Sequence, residues 1–171
     1  TFNQKDGLVD PNSVVMGYIS AAQRLGAKAI GRAEVTGIHV SGDQVEAVET
    51  TAGSIQTRTV LNAAGPWAGI VGEMAGVHIP IVPIRRQMYT TTPMPEIPED
   101  FPFVIDFAQS LYFHREGNGL LIGMSNANEK PGLDQNVDDE FELTNMEAAA
   151  ARLPLMGRAG RVSHWAGLYE V

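Results

Sequence analysis

One short stretch constrains the fold of this chain more than any other, the segment Val-Leu-Asn-Ala-Ala-Gly-Pro-Trp-Ala-Gly at residues 60–69. It predicts a short buried strand, a bend with almost no side chains, and the first turn of a helix. Pro66 suits the first helical position, where a missing N–H costs nothing, and Gly76 is a natural helix stop. At residues 63–65 the backbone is bare where the free N–H groups of the helix point outward. Such a bend could take a phosphate or the edge of a nucleotide, and an ordinary tight strand-to-helix turn is the alternative.

The composition indicates a globular protein and excludes several classes of function. Hydrophobic residues make up 44% of the 171 and charged residues 19%, which suits one domain of ordinary size with a core. A net charge of −8 argues against nucleic acid as a partner, because phosphate binding needs clustered Lys and Arg. No apolar run approaches the ~20 residues that span a bilayer. The chain has no Cys and its four His lack ligand spacing, so we expect no metal site, and a cytoplasmic location fits.

The first half of the chain predicts one helix and a small antiparallel sheet. Asp10 and Pro11 begin a helix with an apolar stripe, which ends at Gly26. A short strand at residues 27–30 follows. Three extended pieces then predict a β-meander, at residues 33–41, 44–51 and 54–57.

The second half predicts a larger antiparallel sheet. A long strand at residues 84–92 places Arg85 and Arg86 on opposite faces. The four prolines of residues 93–102 predict a surface loop. Three further antiparallel strands are expected at residues 103–107, 111–115 and 120–124.

The C-terminal third predicts a loop, a helix and a last strand. Residues 125–139 are polar and predict a long loop. The helix that follows has an apolar stripe formed by Leu143, Met146, Ala149, Ala150 and Leu153. The strand at 161–171 leaves an edge that another strand should pair with. We therefore expect this chain to be a piece of a larger polypeptide, with the rest of that polypeptide as one of its partners. We also expect the chain to self-associate through the exposed edge.

Four segments, taken in order, resemble a known family. They are Gly-Leu-Val-Asp-Pro at 7–11 with its helix and Gly-Ala at 26–27, Val-Leu-Asn-Ala-Ala-Gly-Pro-Trp at 60–67, the pair Leu-Tyr-Phe-His-Arg at 111–115 and Gly-Leu-Leu-Ile-Gly at 119–123, and Trp-Ala-Gly-Leu-Tyr at 165–169. Together they resemble the D-amino-acid oxidase superfamily of flavoenzymes, in its glycine oxidase and sarcosine oxidase branch.

The resemblance implies an α/β (mixed α+β) fold with two parts. Residues 1–82 would form the second half of an FAD-binding domain with a β-meander. Residues 83–165 would form a substrate-binding domain with an antiparallel sheet and one long helix, and residues 166–171 a strand returning to the FAD domain. The Gly-x-Gly-x-x-Gly turn that cradles a dinucleotide and the family's C-terminal flavin segment are absent from the sequence. The chain thus resembles a central fragment, which we do not expect to bind FAD unaided.

The resemblance also implies which residues contact FAD. They are Val35, Ala63, Ala64, Gly65 and Trp67. Val35 would supply backbone contacts to the adenine side, with a core strand valine as the alternative. The three small residues of the bend would approach the ADP moiety closely.

Four residues are candidates for the catalytic site, namely Tyr112, His114, Arg85 and Tyr169. By resemblance, the phenol of Tyr112 bonds the substrate carboxylate, and an ordinary strand tyrosine is the alternative. His114 could accept a proton, and a structural histidine is the alternative. One of the adjacent arginines, Arg85 or Arg86, could neutralise a carboxylate in a bidentate way, and a salt-bridged surface arginine is the alternative.

Two positions depart from the family's pattern. Glycine-oxidase-like members have an anchoring Arg where this chain has Tyr169, and monomeric sarcosine-oxidase-like members have a Lys, tied to oxygen activation, where it has Leu121. The segment at 165–169 is closer to the β-subunits of heteromeric sarcosine oxidases and to dimethylglycine-dehydrogenase-like enzymes. A dehydrogenase that passes electrons to an acceptor other than oxygen is therefore an option.

These observations together predict an FAD-dependent oxidoreductase. It would oxidise the C–N bond of a small amino acid or an N-methylated glycine by hydride transfer to the flavin, with the protein orienting the substrate. A non-catalytic module for binding or subunit assembly is one alternative. A flavin-dependent 2-hydroxyacid dehydrogenase is the other.

Overall fold

The computed structural model describes residues 3, 5 and 7–171, and the chain divides into two compact units, residues 1–60 and 61–171. The first contains a three-stranded sheet and the second a five-stranded sheet, each with helices. The predicted mixed α/β class is confirmed, while the predicted domain boundaries stay a prediction. In the part of the chain that the structure describes, no helix has the length and apolarity needed to cross a bilayer.

Helix α1 of the first unit spans Pro11–Arg24, as its capping residues predict. The side chain of Asp10 accepts a hydrogen bond from the Ser13 N–H at 2.8 Å, which satisfies one of the free donors at a helix start. No residue of α1 is buried in the described structure. Its predicted apolar stripe therefore lies on an exposed surface.

The sheet of the first unit is the predicted meander. Its strands are β1 (Val35–Ser41), β2 (Gln44–Thr50) and β3 (Gly53–Gln56). They pair antiparallel in sequence order. Gly42 takes a φ of 57° in the first turn, a conformation that favours glycine.

Two predicted strands are wrong. Residues 27–30 and the residues around Val60 form no strand in the described structure, and Leu61 is 90% exposed. An apolar run becomes a strand only when a neighbour completes its hydrogen-bond ladder. Neither run has such a neighbour among the described residues.

The second unit begins with the small-residue bend and a short helix. A 3₁₀ turn covers Gly65–Trp67, and α2 covers Ala68–Met74. The predicted helix from residue 66 to 75 is thus divided into two pieces, and Gly76, with a φ of 72°, follows it. Gly72 has no room for a side chain, because a Cβ there would lie 2.6 Å from the Val77 carbonyl oxygen.

Five antiparallel strands form the sheet of the second unit. They are β4 (Pro83–Thr91), β5 (Val104–Asp106), β6 (Leu111–Glu116), β7 (Gly119–Met124) and β8 (Arg161–Glu170). Their spatial order is β5-β6-β7-β4-β8. The predicted strands of this half are confirmed, and β8 is an edge strand as expected. Self-association through β8 stays a prediction.

One face of this sheet packs on helix α3 (Asp139–Arg152) and a 3₁₀ segment (Pro154–Arg158). The core contains three fully buried strand residues, Leu111, Leu120 and Ile122. The proline-rich segment at 93–102 was expected to be a surface loop. It instead contributes two core residues, Met94 and Ile97, each 4% exposed.

Helix α3 is rotated relative to its predicted orientation. Leu143, expected in the apolar stripe, is 62% exposed, whereas Glu142 and Asn145 are 4% and 1% exposed. A pattern of apolar residues treats a carboxylate as outward-facing. Here Glu142 is buried because Arg161 and His164 of β8 bind its two oxygens.

Candidate functional site

The sheet of the second unit has a face that α3 does not cover, which we call the open face. Alternation along the strands and the register between them place on it, among others, Ile84, Arg86, Met88, Tyr112, His114, Leu121, Gly123, Trp165, Gly167 and Tyr169. Trp165 and Tyr169 are 41% and 55% exposed, while the apolar core residues on the other face of this sheet are 0–4% exposed. Three of the four predicted catalytic residues thus share this face.

The side chain of Tyr112 on β6 lies over Gly123 of β7, with which Tyr112 is paired in the sheet. A Cβ on Gly123 would collide with the Cζ and hydroxyl oxygen of Tyr112. The ring also meets Phe103 edge to face, with centroids 5.9 Å apart. A glycine on one side and an aromatic ring on the other therefore fix the position of the phenol.

His114 follows Tyr112 on the open face and also contacts Phe103, with ring centroids 5.4 Å apart. Its Nδ1 lies 2.8 Å from the Arg115 carbonyl oxygen. Because a carbonyl oxygen only accepts hydrogen bonds, Nδ1 carries the proton of this bond. The neutral ring therefore has its lone pair at Nε2, which is able to accept a proton.

Tyr169 and Arg86 meet at the β4–β8 side of the open face. The guanidinium carbon of Arg86 lies 5.7 Å from the centroid of the Tyr169 ring, a cation–π distance. Arg86 also donates from Nη1 to the Arg85 carbonyl oxygen at 2.9 Å. From the sequence, either of the two arginines could face a pocket, and the structure places Arg86 beside Tyr169.

Electrostatics link Tyr112 to this pair. Burial and the nearby Tyr169 raise the pKa of Tyr112 above 10.0, and the positive charge of Arg86 opposes that rise. The phenol is therefore protonated at neutral pH and can donate a hydrogen bond. The two groups of the open face that act on this pKa are one cation, Arg86, and one further phenol, Tyr169.

Arg85, the fourth predicted catalytic residue, lies on the opposite face and binds the loop at residues 125–138, which we call the acidic loop. Its Nη2 is 3.0 Å from a Glu129 oxygen, and its Nη1 is 3.2 Å from Asp134 and 2.7 Å from the Asn136 carbonyl oxygen. A cavity of about 350 Å³ lies beside it, lined mainly by acidic-loop residues. The structure therefore does not bring Arg85 together with the other three residues.

The bend at residues 62–68 keeps its backbone accessible. Ala63 is exposed, Ala64 and Gly65 are half-buried, and Trp67 is 41% exposed. Gly65 has a φ of 52°, and a Cβ added to it would meet nothing within 4 Å. The bend is therefore not sealed in a core, and its small residues fit the close approach of a bulky nucleotide such as FAD.

Asn62 holds this bend together, a role that the sequence analysis missed. Its Nδ2 donates to the Ala68 carbonyl oxygen at 2.9 Å, and its Oδ1 accepts from the Ala64 N–H at 3.2 Å. The signal was present, because Asn commonly bonds the backbone two residues ahead. The Trp67 N–H donates to the Ala64 carbonyl oxygen, so a ligand would meet bare backbone rather than a free helix N-terminus.

Val35, the remaining predicted cofactor residue, begins β1 in the first unit. It pairs with Thr50 of β2 and is half-buried. Its contact with FAD stays a prediction.

One cluster of potential metal ligands escaped the sequence analysis. Asp139, Glu142 and His164 bring one ligand atom each within 4.8 Å of one another, although 22 residues separate Glu142 from His164. Arg161 contacts Glu142 and lies 4.0 Å from Asp139. A guanidinium therefore already supplies positive charge at this cluster.

Comparisons with known proteins identify the family of this chain. Residues 1–171 match the family model described as DAO, FAD dependent oxidoreductase. Mitochondrial dimethylglycine dehydrogenase of Mus musculus is 35% identical over 177 residues, covering 92% of this chain and 20% of that protein. Mitochondrial sarcosine dehydrogenase of Mus musculus is 36% identical over 172 residues, covering 91% of this chain and 18% of that protein.

A solved structure has the same fold. L-proline dehydrogenase from P. horikoshii superposes with a TM-score of 0.87 at 29% identity, covering 98% of this chain and 45% of that one. The chain thus spans about a fifth of the length of the two curated relatives. The resemblance found in the sequence is confirmed, and the chain belongs to the DAO family of FAD-dependent oxidoreductases.

Proposed function

We propose that this chain supplies substrate-binding and FAD-binding surfaces of an enzyme that oxidises the C–N bond of a small amino acid or an N-methylated glycine. Glycine, sarcosine and dimethylglycine are the expected kinds of substrate. The observation that carries the proposal is the shared open face of Tyr112, His114 and Tyr169 in a chain of this family. The names of the relatives, dimethylglycine dehydrogenase and sarcosine dehydrogenase, support the substrate class.

FAD would be held by the bend of the second unit, where Ala63, Ala64 and Gly65 offer accessible backbone with little side chain and Trp67 offers an exposed ring. A backbone contact of Val35 with FAD is a separate prediction for the first unit. Bound FAD supplies the redox chemistry by accepting a hydride equivalent from the substrate. The residues of this chain bind FAD and the substrate and orient them relative to each other.

Two side chains of the open face have defined roles toward the substrate. Tyr112 stays protonated because its pKa is raised, so its hydroxyl donates a hydrogen bond to the substrate carboxylate. His114 has a lone pair at Nε2 in its neutral form, so it accepts a proton released near the face. Phe103 packs against both rings and keeps them in place.

The electron acceptor is proposed to be something other than oxygen. Leu121 stands where monomeric sarcosine-oxidase-like members have a lysine tied to oxygen activation, and it lies on the open face opposite His114. An apolar side chain offers no charge there to favour reduction of oxygen. A dehydrogenase should reduce an artificial dye much faster than it consumes oxygen, and an oxidase would do the reverse.

The test uses the full-length protein. We expect it to purify with FAD and to lose its visible flavin absorbance when glycine, sarcosine or dimethylglycine is added without oxygen. Tyr112→Phe should raise KM for that substrate without loss of bound FAD. Reduction by 2-hydroxyglutarate alone would favour the hydroxyacid dehydrogenase, and a folded protein without flavin would favour the binding module.

A further inference from the structure

Arg86 is the basic side chain of the open face that the proposed function has not used. Arg85, its neighbour in sequence, is surrounded by the carboxylates of Glu129, Asp134 and Asp138. Arg86 has no carboxylate within ion-pair distance among residues 3, 5 and 7–171. A half-buried guanidinium without a counter-ion is costly unless something anionic binds it.

The guanidinium of Arg86 is already positioned. One nitrogen, Nη1, is tied to the Arg85 carbonyl oxygen, and the Tyr169 ring lies 5.7 Å from the guanidinium carbon. The remaining N–H groups are available for a ligand. Holding the group in advance lowers the entropy that a ligand would otherwise lose on binding.

The surroundings favour a carboxylate as that ligand. The planar guanidinium matches a carboxylate with two parallel hydrogen bonds. The charge of Arg86 acts on the Tyr112 phenol, which is the second donor on this face. Gly167, the partner of Arg86 on the adjacent strand, leaves open space beside the arginine, because a Cβ there would meet nothing within 4 Å.

We propose that Arg86 binds the carboxylate of the amino-acid substrate and that the Tyr169 ring positions its guanidinium. The inference rests on the proposed function, since it names the group that selects amino acids over amines without a carboxylate. Arg86 is then a specificity-determining residue, and Tyr169 is a positioning residue.

The test titrates the full-length flavoprotein with acetate, the smallest carboxylate, and with acetamide, its neutral counterpart. Binding is read from the change in flavin absorbance, without turnover. Arg86→Gln should weaken acetate binding and raise KM for the amino acid by about 10- to 100-fold, the range expected for a hydrogen bond to a charged group. Acetamide should bind weakly to both proteins.

Matched variants separate this role from a general effect of charge or folding. Arg86→Lys keeps the charge but lacks the planar guanidinium, so its affinity for acetate should lie between those of wild type and Arg86→Gln. Arg158→Gln removes a charge from a side chain that is 69% exposed, and acetate binding should not change. Tyr169→Leu removes the ring that lies 5.7 Å from the guanidinium carbon and should weaken acetate binding.

Two results would overturn the inference. The first is acetate affinity and KM unchanged in Arg86→Gln, in protein that retains its flavin. The second is Arg86→Lys behaving as wild type while Arg158→Gln weakens acetate binding, which would indicate only a long-range charge effect. A wild-type flavin that no amine reduces would instead contradict the proposed function, so the two failures are distinguishable.

Discussion

The packing of Tyr112 on Gly123 provides a sharp test of the site geometry. Gly123→Ala places a methyl group where the tip of the Tyr112 ring now lies. The Cε1 atom of Tyr112 would also be only 2.8 Å from the new Cβ. The ring cannot shift freely, because Phe103 packs against it at 5.9 Å. The variant therefore overpacks this contact.

The cost follows from two opposing effects. Overpacking costs about 1–3 kcal/mol, and replacing a strand glycine by alanine returns about 0.5–1 kcal/mol of backbone entropy. We expect Gly123→Ala to lower the free energy of unfolding by about 0.5–2 kcal/mol. Gly167→Ala is the matched control, because a Cβ there meets nothing within 4 Å, and it should be neutral or stabilising.

Urea unfolding of the full-length protein, followed by circular dichroism, measures these differences. In a Tyr112→Ala background the new methyl group has room, so the cost of Gly123→Ala should disappear. Acetate binding should weaken in Gly123→Ala, since the phenol is displaced. If Gly123→Ala costs as much without the Tyr112 ring as with it, or no more than Gly167→Ala, then Tyr112 and Gly123 do not pack as described.

Three further outcomes are expected. Glu142→Gln should lower the free energy of unfolding by about 1–3 kcal/mol, because Arg161 and His164 lose their counter-ion. Leu143→Gln, on the exposed side of the same helix, should change it by less than about 0.5 kcal/mol. Urea unfolding measures both, and equal effects would contradict the observed helix rotation. Tyr112 should titrate above 10.0 in a phenolate absorbance titration referenced to Tyr112→Phe, and Arg86→Gln should raise its pKa further because the guanidinium stabilises the phenolate. Since the unfolded chain loses that proton first, folding stability should fall as pH rises above about 10. Arg85→Gln should speed proteolysis of the acidic loop with little change in KM, and a large change in KM would favour the catalytic role predicted for Arg85.

The sequence predicted the strands of the second unit and helix α1 well, because their signals are local. Alternating residues along the strands and the Asp10 cap of α1 each act within a few positions. It failed where an element depends on a distant partner. Residues 27–30 and Val60 form no strand without a neighbour, and Met94 and Ile97 are buried in a loop that proline content alone places at the surface.

The candidate site could be predicted only in part from the sequence, because it too depends on partners that are distant in the chain. Alternation put Arg85 and Arg86 on opposite faces, but period alone does not say which face stays open. That depends on α3 covering one side of the sheet and on three carboxylates, 44 to 53 residues along the chain, pairing with Arg85. The family's arginine is replaced by Tyr169, and a guanidinium reaches that ring from the next strand.

By itself, the sequence determined the mixed α/β class and a bend of small residues, because these follow from period and short motifs. The family came from the resemblance of four segments to known flavoenzymes. Only the tertiary structure decided which charges are neutralised and which stay available. Glu142 is buried with Arg161 and His164, Arg85 is held by the acidic loop, and Arg86 faces an open surface beside Tyr169. The energy of a charge depends on its burial and its partners, and those partners are distant in the chain.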